Sequence, residues 1–314
     1  MTKRSNNTQD KKELKKEIIW NDVLNIFILY IKDSSDENKK LFLEKFNEYL
    51  NQEVKKQAKS NEYNILVLFD NASLSNTHSD KIYRSLNKLD RTKPLILVIH
   101  SGGGYPGPAY LIGKLCKQFS DKKFIAVVPR YAKSAATLLS CGADEIHMGK
   151  LSELGPIDPQ INNMPTLGLK NSVEHIAELV GNNPKSSEMF ARYLALTIEP
   201  ISIGHYERVA ESAAQYAIRL LEKKKDLLIK DPGEIATRLV YGYKDHSFVI
   251  DQEEAETIFG DKVLKKDTDE YKIGDCIYSL LSRIENLTNL IDYKFSFIGE
   301  LMIDSIFLEK KPKR

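Results

Sequence analysis

From Asn64 onward, three largely apolar runs of strand length, Ile65 to Phe69, Leu95 to His100 and Phe124 to Val128, alternate with helical segments. Runs apolar on both faces suit a sheet covered on both sides. Their regular alternation with short connections predicts a parallel sheet wrapped by helices. The helices are expected over Lys81 to Leu89, Pro108 to Phe119 and Ser134 to Cys141, with a further strand at Glu145 to Met148. In the second helix Ala109, Ile112, Gly113 and Cys116 share one face. Open α/β sheets build their sites at the carboxyl ends of the strands, so the segments after His100 and Val128 are where chemistry is expected.

The first of these reads Ser101 Gly102 Gly103 Gly104 Tyr105 Pro106 Gly107. Consecutive glycines turn the backbone sharply and present bare N–H groups, which suits either a phosphate or an oxyanion. No Gly-Lys-Ser/Thr ending follows and the glycine spacing is not the dinucleotide pattern, so the nucleotide signal is weak. The second segment is Val128 Pro129 Arg130 Tyr131 Ala132 Lys133 Ser134 Ala135 Ala136 Thr137 Leu138. Ser134 falls where a strand hands over to a helix of small and aliphatic residues. Its hydroxyl there faces the positive end of the helix dipole, which is a nucleophile's position and equally an N-cap's position.

Four motifs in order carry a resemblance: Ser101 to Gly104, Tyr131 to Leu138, Gly142 to Ile146, and Leu154 Gly155 Pro156 Ile157 Asp158 Pro159 Gln160. Together they resemble the serine dehydrogenase proteinase family, a branch of the Clp protease and crotonase superfamily that is similar also to signal peptide peptidase A type serine proteases. The resemblance runs from about Asn64 to Val263 and is dense between Leu95 and Gln160. It implies a Clp/crotonase-like α/β core of stacked βα units with a parallel sheet. It also implies a serine peptidase acting through an acyl-enzyme on Ser134, with the amides of Gly103 and Ala135 as the oxyanion hole. Two further readings stand beside it, an inactive Clp-like scaffold that binds a partner protein or peptide, and a crotonase-like acyl-CoA enzyme.

A serine hydroxyl needs a positioned base. Where Clp proteases carry a histidine after the nucleophile helix, this sequence is closest at Asp158, which suits orienting another base, acting as a carboxylate acid/base, or fixing the turn between Pro156 and Pro159. In the signal peptide peptidase type a lysine roughly fifty residues beyond the serine serves, and Lys185 is nearest that offset. His246 lies in Tyr241 to Asp251, ahead of a Glu-Glu-Ala helix start. It matches a histidine-bearing segment of the family and has the side chain suited to proton transfer near neutrality. His100, beside the glycines, is a third candidate, with His147 and His205 behind it. No histidine or cysteine spacing suggests a metal, and no cofactor is expected.

The chain divides by pattern into a helical N-terminal extension (1–60), the hydrolase domain (61–265) and an amphipathic helical tail (266–314). Residues 1–16 are polar without a secretory h-region. In the extension Leu14, Ile18, Val23, Phe27 and Ile31 approximate helical spacing, and Leu41, Phe42, Phe46, Tyr49 and Leu50 suggest a second helix. Ser172 to Val180, Ser186 to Ile198 and Tyr206 to Lys230 also look helical. In the tail Ile277, Leu280, Leu281, Ile284, Leu287 and Ile291 fall near heptad spacing, as a partner handle or a core-capping helix would have them. A net charge of +2 argues against a nucleic-acid surface, and three scattered cysteines read as reduced thiols of a cytoplasmic protein. The expected partners are a peptide or protein substrate and further copies of the chain, and the family resemblance leaves peripheral membrane association open.

Overall fold

The computed structural model describes residues 17–158, 160–161, 164–197 and 200–312, in two compact units, Met1–Gln52 and Glu53–Arg314. The first unit holds α1 (Trp20–Lys32) and most of α2 (Asp36–Lys55). Val23, Phe27 and Tyr30 recur at helical spacing and are buried, as are Phe42, Phe46 and Leu50. Tyr30 stacks on Phe42 with ring centroids 6.2 Å apart. Tyr30 rather than Ile31 completes the buried stripe, because three residues on from Phe27 stays on the face that four residues overshoots.

The second unit begins its sheet with β1 (Asn64–Asp70), α3 (Asn76–Leu86), β2 (Leu95–Ser101), α4 (Pro106–Phe119), β3 (Phe124–Val128), β4 (Tyr131–Ala132), α5 (Ala135–Ser140), β5 (Glu145–Met148) and β6 (Glu153–Leu154). A short antiparallel pair, β7 (Gln160–Ile161) and β8 (Met164–Pro165), leads into α6 (Thr166–Asn182), α7 (Ser187–Thr197) and α8 (Pro200–Leu221). Then come α9 (Pro232–Tyr241), α10 (Gln252–Phe259), β9 (Leu264–Lys266), α11 (Asp269–Asn289), β10 (Tyr293–Glu300) and β11 (Ile306–Lys310). The main path of the sheet is β11-β10-β1-β2-β3-β5-β9, with β4 paired to β2 and to β6. The three expected strands are adjacent and parallel, Asn64 opposite Leu95 and Leu95 opposite Phe124. Every residue of β2 and β3 is buried, as continuous apolar strands in a parallel sheet should be. Ala109, Ile112, Gly113 and Cys116 form the buried face of α4.

The helical tail expected over 266–314 holds as a helix to Asn289 and departs beyond it. Helix α11 ends at Asn289, the chain reverses through Asp292 at φ +59°, and β10 then pairs antiparallel with β1. The heptad-like spacing of Ile277, Leu280, Leu281 and Ile284 is spent on the core, where all four are buried. Tyr293 to Glu300 instead becomes a strand against the open edge of β1, pairing Leu66 to Phe69 with Glu300 to Phe297 and burying Phe295 to Gly299. A similar break shortens the run expected over Tyr206 to Lys230. Helix α8 stops at Leu221 because Lys224, in non-helical backbone at φ −133°, turns inward to donate to the Ala143 carbonyl. Residues 1–16, Pro159, Ile198 and the side chain of His205 lie outside the described residues.

Candidate active site

Ser134 occupies the junction of β4 and α5. Its backbone stands at φ +52°, ψ −120°, a region costly for any residue with a Cβ, and its side chain makes no capping hydrogen bond. The N-cap role is therefore not what the hydroxyl does. A strained strand-to-helix turn instead holds a side chain only 8% exposed at the head of a helix whose first amides, Ala135 among them, have no intrahelical acceptor. The turn is braced from behind. Thr137 Oγ1 lies 2.6 Å from the Ala132 carbonyl and 2.8 Å from that of Gly155, and it accepts the Gly155 N–H at 3.1 Å.

The glycine loop after β2 meets this turn directly. Gly103 has φ +97°, and a Cβ there would stand 2.6 Å from the Lys133 carbonyl oxygen and 2.9 Å from the Ala135 nitrogen. Gly104, at φ +152°, is equally confined, its Cβ position 2.2 Å from the Leu74 nitrogen. The Leu74 N–H donates to the Gly103 carbonyl at 2.8 Å, and the Tyr105 N–H donates back to Leu74 at 2.9 Å. The glycines are thus needed for close approach of backbone to backbone. The Gly103 amide itself donates to Ser101 Oγ at 3.2 Å. Ser101, one residue ahead of the glycines, is a contact that glycine spacing alone does not reveal.

Leu74 is anchored in turn. Ser75 and His78 form a reciprocal cap on α3, with the Ser75 N–H 3.1 Å from His78 Nδ1, which starts that helix at Asn76 instead of Lys81. His78 Nε2 lies 3.2 Å from Asp70 Oδ2 and Lys294 Nζ 3.3 Å from Asp70 Oδ1. Burial alone would raise the Asp70 carboxyl, but the His78 and Ala72 hydrogen bonds and the Lys294 charge hold it below the usual range.

The remaining candidates separate by environment. His246 Nδ1 lies 3.7 Å from Asp158 Oδ2, beyond hydrogen-bond reach, and has no other hydrogen-bond partner among the described residues. Asp158 is buried and His246 half-buried. Backbone register explains the meeting. Ala132 pairs parallel with Leu154, and Leu154 bridges antiparallel to Ile250. Ser134, Asp158 and His246 are all carried from that one rung, two residues on from Ala132, four on from Leu154 and four back from Ile250. Lys185 sits on an exposed 3₁₀ turn, Pro184–Ser186, after α6. His100 is enclosed by Phe69, Tyr131 and Tyr278, with ring centroids at 4.8, 4.0 and 4.9 Å, and burial together with the Arg130 charge pushes its imidazole down to about 4. His147 is held by Thr268 Oγ1 at 2.6 Å and Glu145 Oε2 at 3.1 Å, tying β5 to the start of α11.

With Ser134, the glycine loop and the 154–158 segment gathered around one turn, the comparison with known proteins is direct. Residues 65–183 match the ClpP-like SDH-type serine proteinase family. That segment spans β1 to α6 and includes Ser134, Gly103, Ala135 and Asp158, while His246 lies beyond it. Two uncharacterized proteins of Methanocaldococcus jannaschii are similar over shorter stretches, one 35% identical over 96 residues and the other 31% identical over 104. These alignments cover 31% and 33% of this chain, and the chain spans only about a third of the relatives' own length, 33% and 35%. Among solved structures the chain is similar to a mutant of the 1510-N membrane-bound stomatin-specific protease, with a TM-score of 0.43 and 15% identity over 67% of this chain and 83% of that one. It is also similar to ClpP1 from Listeria monocytogenes, with a TM-score of 0.40 and 13% identity over 66% and 94% of the two chains. No helix among the described residues is long and apolar enough to cross a membrane.

Proposed function

We propose that the chain is a serine peptidase in which Ser134 Oγ attacks the carbonyl carbon of a peptide bond. The observation that carries this is the uncapped, strained Ser134 at the head of α5 with Gly103 packed against it. The family match over 65–183 supports the same chemistry. As the tetrahedral centre forms, negative charge develops on the former carbonyl oxygen, and the Ala135 and Gly103 amides are the donors for it. The Gly103 N–H reaches that oxygen by exchanging or sharing its bond to Ser101 Oγ. His246 takes the serine proton and returns it to the leaving amine, and the Asp158 carboxylate, 3.7 Å from Nδ1, is the group that would close on the imidazole to orient it as charge develops there. The acyl-enzyme is then released by water through the same groups. Lys185 is given no role in the reaction, because a lysine becomes a base when burial strips water from its ammonium and Lys185 is exposed.

Assembly into a homo-oligomer belongs to the same proposal. Helix α7 exposes Met189, Tyr193 and Leu196, spaced to share one face. Solution mass across micromolar concentrations tests it, and a strictly monomeric, active chain would refute it. The peptidase proposal is tested by a fluorophosphonate probe on the native chain and on Ser134→Ala. Labelling confined to the native chain is expected, and equal labelling of the two, or none of either, would favour the inactive scaffold.

A further inference from the structure

We infer that Lys133 is a positioning residue of this site, its ammonium binding the segment that delivers the nucleophile to the two segments that deliver Asp158 and His246. The inference rests on the peptidase proposal above. Lys133 directly precedes Ser134, and its backbone is already part of the turn, its N–H donating to the Ser101 carbonyl at 3.0 Å and its own carbonyl accepting from Ala136 at 2.9 Å. The side chain runs the other way, with Nζ 2.7 Å from Glu153 Oε2, 3.3 Å from the Leu154 carbonyl and 3.4 Å from the Phe248 carbonyl. An ammonium has three protons, and here three acceptors surround it on two different chain segments.

The neighbours are shaped to this path. Gly155 leaves room for the lysine stem, since a Cβ at that position would stand 2.6 Å from Lys133 Cδ. Glu153 is gripped from its other oxygen by Arg130 at 2.6 Å. Burial alone would raise its carboxyl, yet the hydrogen bonds and charges of Lys133 and Arg130 hold it below the usual range. The carboxylate is therefore a fixed anchor. Leu154 is four residues before Asp158, and Phe248 is two residues after His246. Beside the Leu154–Ile250 bridge, the Phe248 carbonyl ties the His246 loop directly to Lys133 of the Ser134 turn. A lysine immediately before the nucleophile thus sets the distance between nucleophile and base without touching substrate.

The experiment compares Lys133→Met, which keeps the stem and removes the charge, with Lys133→Arg, Glu153→Gln and His246→Ala. Each is read by fluorophosphonate labelling rate at Ser134, by peptide kcat and KM, and by thermal unfolding. For Lys133→Met a fall of about 10- to 100-fold in labelling rate and kcat is expected with KM nearly unchanged, as for a misplaced catalytic group. Lys133→Arg should recover part of it, and Glu153→Gln should lose activity in the same sense. The decisive readout is coupling. Because Lys133 acts through His246, the Lys133→Met/His246→Ala double variant should be no slower than His246→Ala alone. A folded Lys133→Met as reactive as wild type, or losses that multiply in the double variant, would overturn the inference while leaving the peptidase proposal intact. A wild-type chain that takes no label at all would overturn both.

Discussion

A methyl group built on Gly103 would stand 2.8 Å from Ser134 Cβ, inside any real carbon–carbon contact. The glycine loop and the Ser134 turn are thus pressed together at a glycine whose φ of +97° also disfavours a side chain. Gly103→Ala must move one of the two segments. We expect it to destabilise the fold by about 1–3 kcal/mol and to lower the labelling rate at Ser134 about 100-fold. Urea unfolding and probe kinetics on the same preparation check both. Wild-type labelling in this variant would show that the Gly103 amide is not part of the reaction.

The pairing of His246 with Asp158 makes a separable prediction. His246→Ala should lower peptide turnover by about 10²- to 10⁴-fold with the fold retained, which is the usual range for a general base. Asp158→Asn should lose activity in the same direction, and Lys185→Ala should not. If the Lys185 variant is the inactive one, the base has been misassigned.

His100 gives the protein an acid sensitivity of known sign. Burial first and the Arg130 charge second push its imidazole down to about 4, from an ordinary value of 6.5. Between these values the unfolded chain binds a proton that the folded chain does not. Stability is therefore undiminished by this group above about pH 6.5 and is lost as pH falls toward 4. The full shift amounts to up to about 3 kcal/mol. His100→Phe should remove that share of the pH slope, measured by urea unfolding at neutral pH and near pH 4.5. Identical slopes for the two proteins would count against a neutral buried imidazole.

Gly274 decides how α11 is used. A Cβ there would lie 2.4 Å from Val127 Cγ1, so the helix rides on β3 at that glycine. On a free helical handle Gly274→Ala would stabilise by about 1 kcal/mol through helix propensity. Against β3 the overpacking cost, about 1–3 kcal/mol, outweighs it. A drop in unfolding midpoint is the expected result, and a rise would place α11 off the sheet.

Much of this arrangement was legible in the residue order. The apolar runs of β1, β2 and β3 are long and continuous, so their burial and adjacency follow from patterning, and with them the placement of Ser134 and Gly103 at neighbouring carboxyl ends. The C-terminal segment was not legible in the same way. Ile291 continues the spacing of α11 past its end, and the turn at Asp292 and the strand after it are too brief to outweigh that pattern. The open edge of β1 decides the matter, and an edge is a property of the assembled sheet.

At the site the division is similar. The sequence by itself determined a serine at a strand-to-helix junction and glycines one βα unit earlier, because both follow from local patterning. Whether that serine caps its helix was settled by a backbone at φ +52° whose side chain leaves the cap unmade. Only the tertiary structure decided that His246 meets Asp158 and that Lys133 binds both their segments, since those contacts depend on the register of Ala132, Leu154 and Ile250. Pairing between segments this far apart in the chain forms only in the assembled sheet, and the spacing along any one of them does not report which partner it meets.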